Sequence, residues 1–213
     1  WARFVEGFAT NFPGVQQRVV DLGWRRPPTV IGPLLRARAS HPLGPPQGGI
    51  RQGTFVSLGG VRSALVSPDD AVPGLKLVAH ILRELLPLLP AGDVVVATGA
   101  DAAATLRHLL PAAVRLGPLA PRDYREHVER AALFLTIPGM MAVLEGMAAG
   151  APLAVLPALN ASQCLQLRRF QEAGVCAQGI ELDRFVDLAL PERVTDERLL
   201  TEDVLAAVRT IVA

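Results

Sequence analysis

From Thr54 onward, short apolar runs alternate with longer segments of helical periodicity, and this alternation limits the fold more than any other feature. Strands and helices in this order predict the α/β class: right-handed βαβ units that form a parallel sheet with helices on both faces. The predicted strands are Thr54–Leu58, Asp93–Thr98, Val114–Gly117, Leu133–Ile137 and Pro152–Pro157, and residues 175–178 and 180–182 are candidates for a sixth. The predicted helices are 75–89, a helix from a cap at Asp101 to about Leu110, Arg122–Ala132, Gly139–Ala149, Ala161–Ala173 and a last helix from about Glu202. In the last helix, Val204, Val208 and Ile211 form an apolar stripe that is predicted to be buried.

Composition divides the chain into three parts. Residues 1–35 carry one weak strand pattern, from Phe8 to Phe12, and are predicted to pack as a separate piece. Residues 36–53 are rich in Pro, Gly and Arg and show no hydrophobic period, which is typical of a linker. Residues 54–213 are predicted to form the main domain.

Charge and hydropathy narrow the classes of partner. The 21 basic and 20 acidic residues leave a net charge of +1, so no general field favours nucleic acid or an anionic membrane. Mean hydropathy is +0.33, yet Pro, Gly or charge interrupts every apolar run before the ~20 residues that a membrane span needs. No signal peptide is visible, so a cytoplasmic location is expected. We therefore expect small-molecule partners that are recognised by a local site.

Cysteine and lysine usage adds two expectations. Cys164 and Cys176 are the only cysteines, and two isolated thiols in a chain of 213 residues are expected to be reduced core residues. No cluster of His and Cys has metal-ligand spacing, so no metal is expected. Lys76 is the only lysine among 21 basic residues, which is typical of a GC-rich bacterial gene.

The carboxyl ends of parallel strands share one edge of a sheet, and ligands of such sheets bind there. After the first strand come Gly59 and Gly60, which permit close approach of the backbone to a ligand and whose N–H groups suit a phosphate. Arg62 would add positive charge. An ordinary tight turn after a strand is the alternative.

The fourth strand runs directly into a helix through Ile137, Gly139 and Met140. A helix amino terminus is an anion site worth roughly 0.3–1 kcal/mol, although most such turns bind nothing. Further along, Glu145 flanks the apolar stripe that runs from Met140 to Met147, where a carboxylate is costly without a partner. It suits the two hydroxyls of a ribose. A solvated charge at the edge of an amphipathic helix is the alternative.

After the fifth strand, Ser162 and Gln163 offer short polar groups that suit sugar hydroxyls. The alternative is local, because Asn160 followed by Gln163 three residues later is a helix-capping arrangement. The histidines are scattered and are interpreted as surface or structural residues; they are His41, His80, His108 and His127.

The segment from Leu135 to Leu153 resembles the donor-binding signature of GT-B glycosyltransferases, in particular the bacterial natural-product enzymes. That signature contains His-Gly-Gly, a Thr, an acidic residue, a helix that ends in Gly-x-Pro, a strand to Pro and a closing Asp-Gln. The residues at matching spacing here are Glu145, Gly150, Pro152, Pro157 and Gln163. The resemblance extends to Thr54–Gly60 as the first strand and glycine turn, to Val114–Asp123 with Leu119 and Pro121 as the loop behind the nucleobase, and to Val30–Leu35 as the entry to the interdomain linker.

Four positions depart from the signature. Ile137 stands in place of the phosphate-binding His, Pro138 in place of the first Gly, Ala142 in place of the Thr and Ser162 in place of the Asp. The charged or donor side chain of the His is therefore missing, and Pro138 has no N–H to offer.

The resemblance implies transfer of a sugar from a nucleotide-diphospho-sugar to a small-molecule acceptor, with no other cofactor. The nucleoside would be held by Leu119, Pro121 and Glu145, and the diphosphate by main-chain groups of Gly59, Gly60, Gly139 and Met140. Residues 1–35 would be the remnant of an acceptor domain, with an apolar patch near Phe8, Phe12 and Trp24 that favours association with a second copy or a partner chain. An auxiliary binding protein without turnover, or another reaction on the same fold such as sugar-nucleotide epimerisation, remains open.

Overall fold

The structure is a computed structural model that describes residues 50–59, 61, 66–175, 179, 181–182, 185–188 and 197–212. The predicted acceptor-domain remnant with its apolar patch, and residues 36–49 of the predicted linker, lie outside these residues. So do Gly60, Arg62 and Cys176 and most of the candidate sixth strand. Cys164 is buried in the core, and the redox state of the two cysteines stays a prediction.

Five parallel strands form one sheet in the order β3-β2-β1-β4-β5. The strands are β1 (Thr54–Ser57), β2 (Val94–Ala97), β3 (Arg115–Gly117), β4 (Leu133–Thr136) and β5 (Leu153–Val155). The helices are α1 (Pro68–Leu85), α2 (Ala100–Arg107), α3 (Pro121–Arg130), α4 (Met140–Ala148), α5 (Ala161–Glu172) and α6 (Glu197–Val212), with a 3₁₀ turn at Leu86–Leu88. The predicted α/β class and parallel sheet are confirmed. Gly179 makes an isolated parallel bridge to Val155 at the β5 edge.

The central strand β1 is buried on both faces, as expected for a parallel sheet covered by helices. On one face, Val56 belongs to a core cluster with residues of α1, α2 and α6. On the other face, Phe55 packs with Phe134 of β4 and Val128 of α3, and residues of α4 join them. The alternation of side chains along the strands therefore divides the core into two halves, each covered by its own helices.

Three predicted helix starts were wrong. Helix α1 begins at Pro68 rather than at residue 75, because the Ser67 side chain accepts a hydrogen bond of 3.2 Å from the N–H of Asp70 and caps it. Helix α2 has Gly99 as its N-cap, without a capping side chain, and Asp101 lies in its first turn. Helix α6 begins at Glu197, earlier than predicted.

The apolar stripe of α6 packs against the rest of the domain. Val204 and Val208 are fully buried as predicted, and Ile211 is partly buried. Arg209 of α6 forms an ion pair of 2.6 Å with Asp70 in the first turn of α1. No helix in the described part of the chain combines the length and the apolar composition that a membrane crossing requires.

The last residues of the predicted linker are bonded to the domain. Arg51 donates hydrogen bonds to the carbonyl oxygens of Ala131 at 3.3 Å and Ala149 at 2.7 Å. These two residues are the C-caps of α3 and α4, where carbonyl groups lack intrahelical partners and the helix dipole is negative. One guanidinium thus satisfies two helix ends.

Candidate functional site

The strands are added on one side of β1 as far as β3 and on its other side from β4 onward. The neighbours β1 and β4 are paired with Ser57 beside Thr136. Helix α1 follows β1 and packs on one face, whereas α4 follows β4 and packs on the other. A crevice forms at the carboxyl ends of two strands whose helices diverge in this way, and doubly wound nucleotide-binding folds bind their ligands there.

The turns after these two strands lie side by side in the crevice, as predicted. A Cβ atom on Gly139 would lie 3.9 Å from the carbonyl oxygen of Gly59. Gly139 is the N-cap of α4 and has no capping side chain. The first N–H groups of α4, including that of Met140, have no acceptor within the helix and point towards the crevice end. Main-chain donors and the positive end of the α4 dipole therefore meet the glycine turn.

Two features reduce the number of donors at this helix terminus. The Gly139 N–H donates to the carbonyl oxygen of Ile137, and Pro138 has no N–H. The Ile137 side chain is 0% exposed and belongs to the core cluster on the α1 face. Only main-chain groups of Ile137 are therefore available to a ligand. Its predicted place in the donor site stays a prediction.

Glu145 is half-buried on α4 and makes no hydrogen bond or ion pair with any residue that the structure describes. Burial raises the pKa of its carboxyl group, and the charge of Arg125 on α3 acts in the opposite direction. The predicted stripe beside it was wrong in part: Val143 and Gly146 form the buried face of α4, whereas Met147 is 45% exposed. A half-buried carboxylate without a bonded partner among the described residues is a candidate ligand group.

Tyr124 is a neighbour of the candidate site that no sequence pattern indicated. Its hydroxyl donates a hydrogen bond of 3.0 Å to Ser57 Oγ at the end of β1, and its ring meets Phe55 edge-on with 5.1 Å between centroids. Burial raises the pKa of Tyr124 to about 12; the Ser57 bond lowers it, and the charge of Glu145 raises it further. This tyrosine lies in a helix with a charged surface, and its partner is 67 residues away, so no local pattern signals the contact.

The predicted nucleobase wall lies at the end of β3. Pro121 is the first residue of α3, and Leu119 is partly buried against the core half that contains Phe55. The loop therefore lies on the same face of the sheet as Tyr124. Its contact with a base stays a prediction.

Ser162 and Gln163 take part in capping α5, which the sequence predicted as the alternative to a sugar-binding role. Asn160 Oδ1 accepts hydrogen bonds from Ser162 Oγ at 2.9 Å and from the Gln163 N–H at 3.0 Å. Gln163 is only 4% exposed, and its Oε1 accepts from the Leu159 N–H at 2.8 Å. These polar atoms stabilise the turn after β5, and a role in sugar binding stays a prediction.

The described histidines lie away from this crevice or serve the fold. His127 stacks on Phe55 with ring centroids 5.2 Å apart, and burial lowers its pKa. His108 is the C-cap of α2. His80 is exposed on α1.

The strand order, with helices on both faces of the sheet, defines a doubly wound α/β domain. No protein-family model matches the sequence, and no curated protein does. Among solved structures, the chain is similar to the glycotransferase of kitacinnamycin, with 22% identity over 87% of this chain and 45% of that chain and a TM-score of 0.45. It is also similar to the glycosyltransferase SnogD from Streptomyces nogalater, with 22% identity over 95% of this chain and 51% of that chain and a TM-score of 0.46. A third is UGT71G1 from Medicago truncatula, solved with UDP-glucose, with 16% identity over 99% of this chain and 47% of that chain and a TM-score of 0.46. The chain spans about half the length of these proteins.

Proposed function

We propose that residues 54–213 bind the sugar donor of a GT-B glycosyltransferase, a nucleotide-diphospho-sugar whose sugar passes to a small-molecule acceptor. One observation supports this proposal most: the Gly59 turn lies beside the amino terminus of α4 at the carboxyl ends of β1 and β4, and the same helix carries Glu145, which has no bonded partner among the described residues. Main-chain donors beside an acidic side chain suit a phosphate joined to a ribose.

Each part of the donor has a proposed partner. Leu119 and Pro121 would lie against the nucleobase, and Glu145 would accept hydrogen bonds from the ribose hydroxyls. Main-chain N–H groups of the glycine turn and of Met140 would hold the diphosphate. When the acceptor oxygen bonds to the anomeric carbon and the bond to the diphosphate breaks, the negative charge left on the diphosphate would be stabilised by these fixed dipoles.

The departures at the α4 terminus support a second candidate, an auxiliary protein that binds a nucleotide without turnover. The family His is replaced by a buried Ile137, and the Gly139 N–H is engaged within its own turn. Both changes remove donors that would stabilise the departing diphosphate, and one missing donor at such a site costs about 10²–10³ in rate. Formation of a glycosylated acceptor and release of nucleoside diphosphate by the complete protein would favour transfer, whereas tight nucleotide binding without these products would favour the auxiliary candidate.

The test replaces Glu145 by Gln and measures UDP, TDP and GDP binding by calorimetry at neutral pH. The variant keeps the size of the side chain and removes the charge, so two charge-assisted bonds of roughly 1.5–3 kcal/mol each weaken and affinity falls on the order of ten- to a hundredfold. Glu172→Gln on α5 is the matched control, because Glu172 is exposed and pairs only with Arg169 in the described structure at 2.7 Å. Its affinity should equal that of the wild type.

Thermal unfolding separates binding from stability in the same two variants. The raised pKa of Glu145 means that folding disfavours its charged form, so Glu145→Gln should melt at or slightly above the wild-type temperature at neutral pH. The difference in melting temperature should disappear in acid, since protonation of Glu145 removes this penalty. Equal nucleotide affinity in wild type and Glu145→Gln would remove Glu145 from the site.

A further inference from the structure

Tyr124 is the only tyrosine of the chain, and it is turned inward on a helix whose neighbouring residues Arg122 and Asp123 are exposed. Its ring packs edge-on against Phe55, which accounts for the burial of the ring. The hydroxyl, however, has a separate partner in Ser57 Oγ at 3.0 Å. Packing alone requires only a phenyl ring at this position, so the hydroxyl calls for its own explanation.

The hydroxyl pair lies directly beneath the glycine turn. Ser57 is 3% exposed, and a Cβ atom on Gly59 would lie 3.9 Å from its Oγ. The Tyr124–Ser57 bond therefore joins α3 to the last residue of β1, immediately before the turn proposed to hold phosphate.

The Tyr124 side chain also packs in the core half that includes Ala142 of α4. Three elements that carry separate parts of the proposed donor site thus meet at one side chain. They are α3, which follows the base-wall loop, β1, which leads into the glycine turn, and α4, which carries the carboxylate.

We propose that Tyr124 is a positioning residue of the donor site: through its bond to Ser57 it holds the Gly59 turn at the distance from α4 that a nucleoside diphosphate requires. This inference rests on the proposed function. A ligand that reaches both the Gly59 turn and Glu145 depends on that distance, whereas a nucleoside that reaches only Glu145 does not. Tyr124 does not touch the reacting atoms; it acts through the Gly59 turn.

The test compares UDP and uridine binding to the wild-type chain, Tyr124→Phe, Ser57→Ala and the double variant. Phe keeps the ring packing and removes only the hydroxyl. We expect UDP affinity to fall about three- to tenfold in each single variant, the size of one neutral hydrogen bond, and uridine affinity to change less than twofold. The double variant should lose no more than either single variant, because both remove the same bond.

Two controls identify the bond as the cause. Ser57→Thr keeps a hydroxyl at the end of β1 and should retain UDP affinity within about twofold of wild type. Thr105→Val removes a hydroxyl that donates to the Asp101 carbonyl at 3.3 Å on α2, and it should leave UDP binding unchanged.

The outcomes separate this inference from the proposed function. A wild-type chain that binds none of UDP, TDP and GDP would overturn both; if it binds TDP or GDP instead of UDP, that nucleotide and its nucleoside replace UDP and uridine in the comparison. Wild-type binding of UDP with equal affinity in Tyr124→Phe would overturn the positioning role alone. Equal losses for UDP and uridine, or additive losses in the double variant, would assign Tyr124 a general structural role and overturn the inference as well.

Discussion

Two glycines inside helices provide a matched pair for testing how closely α4 packs on the sheet. A Cβ atom on Gly146 of α4 would lie 2.8 Å from Phe134 Cδ1. A Cβ atom on Gly74 of α1 would lie 3.3 Å from a methyl group of Leu159. Both backbones are helical and neither glycine has a positive φ, so replacement by Ala differs between them only in what the new methyl group meets.

The magnitudes follow from propensity and packing. Ala is favoured over Gly inside a helix by about 1 kcal/mol at either position. At Gly146 the methyl group meets the Phe134 ring, which is fully buried and stacks on Phe55 with 5.5 Å between centroids, so overpacking costs about 1–3 kcal/mol. At Gly74 the Leu159 methyl groups lie at the end of a flexible side chain and move aside at little cost. We expect Gly146→Ala to lose about 0–2 kcal/mol of unfolding free energy and Gly74→Ala to gain up to about 1 kcal/mol.

Urea unfolding followed by far-ultraviolet circular dichroism measures both changes, from the midpoint and slope of each transition. The wild type and the two variants should share one slope, so that differences in midpoint report stability. If Gly146→Ala proved as stable as Gly74→Ala, the Phe134 ring would have room to move and the close packing of α4 on β4 would not constrain the neighbouring Glu145.

Three further predictions use single contacts. Arg51→Ala should destabilise the domain by about 1–3 kcal/mol in the same urea assay, because the carbonyl groups of Ala131 and Ala149 lose a charged donor. Arg51→Lys should restore only part of this stability, since one ammonium group cannot reach both carbonyl groups. Titration of phenolate absorbance should place the pKa of Tyr124 near 12, and the free energy of unfolding should fall as the pH rises from about 10 to 12. A titration midpoint near pH 10 would refute the burial of Tyr124. Ile137→His should lower stability by about 2–4 kcal/mol, because an imidazole replaces a fully buried side chain, and should not increase UDP affinity.

The strands could be predicted because each one is a short apolar run closed by a turn residue, and burial on both faces of a parallel sheet requires that pattern. The shared edge of the candidate site followed from the parallel class alone. The start of α1 was missed because Pro68, Pro73 and Gly74 interrupt the apolar period of the helix. Gly74 is nevertheless buried there, and the Leu159 side chain packs closely against it.

Contacts between distant elements were beyond the reach of sequence patterns. The buried face of α4 is centred on Gly146, which carries no hydrophobic signal, so the stripe was assigned to larger residues such as Met147. The Tyr124–Ser57 bond joins a charged helix to a buried strand, and neither residue is unusual in its own segment. The capping of α5 by Asn160 was weighed from the sequence because its partners lie within three residues.

The strand order has a consequence for how the chain is made on the ribosome. The strand β1 is the earliest described strand to be synthesised, yet one of its two neighbours in the sheet is β4, and 79 residues separate Ser57 from Thr136. At about 5–20 residues per second, β1 must wait on the order of 4–16 s for this neighbour to be translated. During that interval one edge of a strand that is buried along its whole length in the finished domain has no partner. Chaperone contact with the nascent chain would therefore be expected to peak before residue 136 leaves the exit tunnel and to fall afterwards.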